Sequence, residues 1–206
     1  MIILSYRREK GKNKIINLNK MKKNKYYFEI DEILDHNPES IRELFMSANL
    51  GRKLSELRVE ELVFHEGKDI RTGNGVYIFK EMETPLYVGN CVARNFVERI
   101  PAHFDIRSNG WFNSLLVNLI GRDLQRKSKE DKTDENLTKF ATHAFENLDL
   151  ILINFPLYDK LAINKLEDYL RITLQPLNGF KHKRLHRPDI TVQEYIQYNI
   201  PIVQCF

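Results

Sequence analysis

Gly75-Val-Tyr-Ile-Phe-Lys80 and Pro85-Leu-Tyr-Val-Gly89, joined by Glu81-Met-Glu-Thr84, decide the fold of this 206-residue chain. Both runs are rich in β-branched and aromatic residues, and the four residues between them are polar, so they read as two strands of an antiparallel hairpin. Leu148 to Phe155 is a continuous apolar run of strand length and supplies a third strand. Helical patterns surround these strands. Asn95 to Phe104 reads as a helix with Pro101 near its end, and Trp111 to Leu124 is amphipathic through Phe112, Leu115, Leu116, Leu119 and Ile120. Asp159 caps a helix from about Lys160 to Leu174 that stops before Pro176. Upstream, Asp31 to Leu50 shows helical spacing with a start at Pro38-Glu39, and Leu54 to Phe64 continues in the same style. Arg126 to Asn136 is dense in charge and reads as an exposed loop or a frayed helix end. The expected class is α+β: a small three-stranded mixed or antiparallel sheet flanked by helices, with an N-terminal helical extension.

Composition narrows the function classes. At 42% hydrophobic and 29% charged residues the chain is an ordinary globular one, long enough to bury a core. No apolar run approaches the roughly 18 residues of a membrane helix, and Met1-Ile2-Ile3-Leu4 is too short for a secretory signal, so a cytoplasmic protein with no membrane partner is expected. Cys91 and Cys205 form neither a disulfide framework nor a Cys-x-x-Cys pair. Net charge is +4, but nine basic residues stand against Glu9 alone between Arg7 and Lys25, a local +8, which leaves −4 for the rest. That window is either a solvated tail or an arm that follows a phosphate backbone. A second basic cluster holds Lys181, His182, Lys183, Arg184, His186 and Arg187. Its two histidines are four apart, but Pro188 argues against a helical zinc pair there. The organisation expected is a basic arm over 1–30, a helical extension over 31–70, a main domain built on the hairpin over 71–180 and a basic extension over 181–206.

Chemistry gathers around the hairpin. Tyr77 and Tyr87 each lie beside a glycine in the tripeptides Gly75-Val76-Tyr77 and Tyr87-Val88-Gly89. Arg99 and His103, four residues apart, share one helical face. Glu167 lies mid-helix beside Leu166, Tyr169 and Leu170, where a carboxylate needs a partner. Arg171 at i+4 offers an ordinary ion pair, and a metal ion is the alternative. Cys91 reads as a core filler. Ser108 to Asn113 is a polar turn with two readings, a phosphate-holding turn or one anchored by a buried Trp111.

In this order, Gly-Val-Tyr, Tyr-Val-Gly, Arg, His, Glu and Pro176-Leu177-Asn178, the sequence resembles the GIY-YIG nuclease superfamily over Gly75 to about Asn178, half the chain. The resemblance implies that Tyr77 and Tyr87 are the signature tyrosines, Arg99 the catalytic arginine, Glu167 the metal-binding glutamate and Asn178 the asparagine that closes the site. His103 matches the histidine of the restriction and homing branches. Two departures stand out. Asn90 replaces a lysine that many members carry after Tyr-Val-Gly, and the stretch from about Ile106 to Asn147 has no counterpart. What is implied is a DNA endonuclease, restriction-type favoured, using one Mg²⁺ (or Mn²⁺), with Asn90, Lys181, Lys183, Arg184 and Arg187 as DNA contacts. DNA is the expected partner, and a homodimer is left open. The rival readings are a non-catalytic nucleic-acid-binding module on the same fold and a phage- or repair-type nicking nuclease.

Overall fold

The computed structural model describes residues 24–65, 68–69, 73–126, 128–157, 159–179 and 190–197. The strands are β1 (Tyr27–Glu29), β2 (Arg52–Lys53), β3 (Phe64–His65), β4 (Lys68–Asp69), β5 (Gly75–Glu81), β6 (Thr84–Cys91) and β7 (Leu148–Asn154). The helices are α1 (Pro38–Phe45), α2 (Phe96–Ala102), α3 (Ser114–Asp123), α4 (Asp134–Asn147), α5 (Lys160–Leu174) and α6 (Val192–Gln197). The class is α+β, a mixed sheet flanked by helices.

The sheet has five strands rather than the expected three. β5 and β6 form the antiparallel hairpin, with Tyr77 directly opposite Gly89, and β5 pairs antiparallel with β7 on its other side. The outer edge of β7 is shared: β1 runs parallel along Leu152–Asn154 and β2 antiparallel along Asp149–Leu150. The two extra strands thus come from the end of the segment read as a basic arm and from the segment read as a helical extension. Of that extension, Pro38 does open α1, capped by the Asn37 side chain accepting from the Ser40 N–H. Leu54 to Leu62 makes two short 3₁₀ turns instead of a helix.

Alternation along the strands divides the core into two layers. Tyr77, Phe79, Tyr87, Leu150 and Leu152 face α2, α3 and α4. Val76, Ile78, Val88, Ile151 and Ile153 face α1, α5 and α6. α4 takes over only the last three residues of the expected charged loop, Asp134–Asn136, and runs on to Asn147: Thr133 caps it, and Leu137, Phe140, Ala141 and Ala144 bury one stripe. α5 begins as predicted, with Asp159 accepting from the N–H groups of Leu161 and Ala162, and ends at Gln175, whose left-handed φ of 51° precedes Pro176. Among the described residues no helix is long and apolar enough to cross a membrane.

Candidate active site

The hairpin itself explains the two tripeptides. A Cβ on Gly89 would lie 2.3 Å from the Tyr77 hydroxyl oxygen and 2.4 Å from its Cζ, so the phenol lies flat across a position that only glycine leaves open. At Gly75 the backbone of β7 makes the same demand, with a Cβ 2.0 Å from the Ile153 carbonyl oxygen.

Over this hairpin α2 brings Arg99 and His103. Asn95 caps the helix by accepting from the Glu98 N–H at 3.0 Å, and Phe96 and Ile100 bury its inner face, which aims Arg99 and His103 at Tyr77. The Tyr77 hydroxyl lies 2.6 Å from His103 Nε2 and accepts from Arg99 Nε at 3.2 Å. Tyr77 and His103 are both 0% exposed. Burial pushes the Tyr77 phenol well above its usual pKa, with Tyr87 adding to the rise and Arg99 opposing it. Burial, then the Arg99 charge, brings the His103 imidazole down to about 3. At neutral pH both groups are therefore uncharged. Tyr77 O–H then donates to His103 Nε2, and the imidazole proton sits on Nδ1, which is buried and has no hydrogen-bond partner among the described residues. Tyr87 stacks 6.3 Å from the Tyr77 ring, and its hydroxyl pairs with Ser114 Oγ at 2.9 Å.

Glu167 belongs to a second cluster. α5 packs on the opposite face of the sheet from Tyr77, and its Glu167 meets the chain at the end of β6. Asn90 Nδ2 donates both to Glu167 Oε2 and, at 3.1 Å, to Asn164 Oδ1. Arg171 pairs with Glu167 Oε1 at 2.6 Å, so the i+4 ion pair weighed from the sequence does form. Burial raises the Glu167 carboxyl, with Arg171 and the Asn90 amide acting against the rise. What links the two clusters is charge: Arg99 also lowers the Glu167 pKa, and buried Cys91, its thiol pushed up by burial, feels Arg99 and Glu167 alike. Asn178 closes the rim, because its amide accepts from the Val88 N–H at 3.0 Å and donates to the Val88 carbonyl at 2.7 Å on the outer edge of β6.

The donor set suits one hard cation. A Glu167 carboxylate oxygen keeps a lone pair beyond the one each hydrogen bond uses, and the Asn164 amide oxygen is a second hard donor nearby. Among the described residues no three His, Cys, Asp or Glu side chains gather as an all-protein cage, so water and substrate would complete the shell of an Mg²⁺ or Mn²⁺ ion.

The structure thus joins Tyr77, Tyr87, Arg99 and His103 in one cluster and Asn90 and Glu167 in another, with Asn178 holding the strand between them. Lys181, Lys183, Arg184 and Arg187 lie outside the described residues, as do the histidines among them and nearly all of the N-terminal arm. Sequence reasoning missed Asn164 and Ser114. Asn164 stands three residues before Glu167 on the same helical face, a spacing that signals it, whereas nothing in the sequence marks Ser114 as the partner of Tyr87. Trp111 is not a buried anchor: it is 91% exposed. No protein-family model, curated protein or solved structure matches this chain.

Proposed function

We propose that this protein is a metal-dependent endonuclease of the GIY-YIG kind that hydrolyses DNA phosphodiester bonds. The observation that carries the reading is the Tyr77–His103–Arg99 triad, three side chains from a strand and a helix joined through one phenolic oxygen.

A phenol near pKa 10 is a poor base unless its proton has somewhere to go and its oxyanion has a cation beside it. His103 Nε2 receives the Tyr77 proton as the phenolic oxygen takes one from the attacking water, and Arg99 Nε–H steadies the oxygen throughout. The water oxygen then forms its bond to phosphorus as the bond to the leaving sugar oxygen breaks; that oxygen takes a proton from solvent water, and the imidazolium returns its proton through Tyr77 to solvent. Charge arriving with the substrate phosphate favours imidazolium at His103 and so offsets the burial that holds it neutral. The Nη groups of Arg99 make a planar fork for phosphate oxygens. Glu167, with Asn90 and Asn164 beside it, would hold an Mg²⁺ or Mn²⁺ ion, which would supply neutralisation of charge on the phosphate. Tyr87 and Asn178 position the hairpin around these groups. His103 favours the restriction-type subclass, and a cytoplasmic location accords with the reading.

One observation favours a second reading, a nucleic-acid-binding module without turnover. Tyr77 and His103 are closed to solvent, so a water reaches the phenol only if a neighbouring side chain moves aside. Supercoiled-plasmid nicking separates the two. Nicking that needs Mg²⁺ and is lost in Tyr77→Phe supports the enzyme; DNA binding with no nicking under any divalent metal refutes it.

A further inference from the structure

The chain's single tryptophan is turned out into solvent from one of its most firmly tied turns. Residues 105–113 enter α3, and their backbone is fixed from several sides. Asn113 Nδ2 donates to the carbonyls of Asp105 and Arg107, each at 3.0 Å, and Lys132 Nζ donates to the Gly110 carbonyl at 2.8 Å. The Ser108 N–H donates to the Asp134 carboxylate at 2.7 Å. An exposed indole on a slack loop carries little meaning, but here the apolar surface is held in place, and ordering it on binding costs little further entropy.

Its surroundings give the occupant. The next residue, Phe112, lies beneath two guanidinium groups, with Arg94 Cζ 4.6 Å and Arg99 Cζ 5.1 Å from its ring centroid. Neither arginine forms an ion pair among the described residues, and Arg99 is the one that reaches Tyr77. Contacts therefore lead from the Phe112 ring through the guanidinium pair to the phenol, and the indole is carried by the residue next to Phe112. An exposed indole one residue away from two guanidinium groups without a carboxylate partner among the described residues matches a nucleobase and its phosphates better than it matches an apolar peptide or a lipid surface. We propose that Trp111 is a stacking platform for an unpaired nucleobase of the substrate, with Arg94 and Arg99 holding a phosphate of the same strand. The proposal rests on the nucleic-acid reading above and adds a prediction about strandedness: the substrate is unstacked at least at one base beside the reacting phosphate.

Because the chain has one tryptophan, its fluorescence reports on this position alone. The full chain is titrated in EDTA with single-stranded oligothymidylate and, separately, with heparin, a polyanion without bases, while anisotropy of a labelled oligonucleotide follows binding. Oligothymidylate should quench the emission to saturation and heparin should leave it unchanged. Trp111→Ala should weaken oligonucleotide binding by about 5- to 150-fold, the range set by one stacked base, and Trp111→Phe should keep most of the affinity. Binding with unchanged emission, equal quenching by heparin, or an undiminished Trp111→Ala each overturns the platform while leaving a nuclease that nicks plasmid intact. A blue shift that grows with protein concentration alone overturns it too, since a second copy would then cover the indole. Absence of any nucleic-acid binding removes both the platform and the proposed function.

Discussion

Replacing Gly89 with alanine tests the geometry on which the tyrosine cluster depends. The new methyl carbon would stand 2.3 Å from the Tyr77 hydroxyl oxygen and 2.9 Å from its Cε2, against the 3.4 Å or more of ordinary contact. Relief therefore requires the phenol to move by about 1 Å. It has nowhere easy to go: Tyr77 is 0% exposed and boxed by Phe79, Tyr87 and His103, with ring centroids 5.6, 6.3 and 5.4 Å away. Overpacking of this kind costs about 1–3 kcal/mol. For a chain of this size each kcal/mol lowers Tm by about 2–4 °C. The same displacement breaks the 2.6 Å contact to His103, and misplacing a reacting group by about 1 Å costs roughly 100-fold in rate. Two assays read these effects, thermal unfolding and plasmid nicking, and a third protein isolates the cause. In a Tyr77→Ala background the methyl has room, so Gly89→Ala should there cost almost no stability. A Gly89→Ala protein as stable as wild type, or one equally destabilised in both backgrounds, would refute the contact.

Other expectations follow from the same geometry. His103 is held near pKa 3 when folded against about 6.5 unfolded, so the unfolded chain binds the extra proton between those values and stability falls as pH drops through that window, by up to about 1.4 kcal/mol per pH unit. Urea unfolding of wild type and His103→Gln at pH 6.5 and 4.5 should show the shallower dependence in the variant, and equal slopes would remove the buried neutral imidazole. Asn178→Ala leaves the Val88 N–H without its acceptor and should cost about 1–3 kcal/mol in denaturant unfolding, together with faster amide exchange at Val88; unchanged exchange there would mean the side chain does not hold the strand. Glu167→Gln should abolish Mg²⁺-dependent nicking while DNA binding persists, and binding lost in step with activity would make the residue structural.

How far the sequence was legible depended on the range of the forces involved. The hairpin and α5 were readable because their signals are local: alternating β-formers around a polar turn, and Asp159 ahead of an amphipathic run closed by Pro176. β1 and β2 were not, because Tyr27–Glu29 and Arg52–Lys53 become strands only through pairing with β7, far away in sequence. α4 was obscured by the charge on its exposed side, although Leu137, Phe140, Ala141 and Ala144 carried the helical spacing. In the site, Arg99 and His103 were found by their i, i+4 relation, and the Glu167–Arg171 pair likewise. That Glu167 comes from a helix on the other face of the sheet from Tyr77 had no sequence signature, since it depends on which face α5 packs against. Nor did the commitment of the Asn178 amide to the backbone of Val88, which depends on how the chain returns to the edge of β6.

The position of β7 also sets an order of events on the ribosome. β7 lies between β1 and β5, yet it is translated after both. While the chain emerges, β5 can pair with β6, but its other edge finds no neighbour until Leu148–Asn154 has left the exit tunnel, and Tyr27–Glu29 waits longer still for its parallel partner. The nascent hairpin therefore carries Val76, Ile78 and Phe79 without their β7 counterparts through the synthesis of α2, α3 and α4. Such late, distant closure slows folding and leaves an open strand edge as the state most exposed to misassembly and to chaperones.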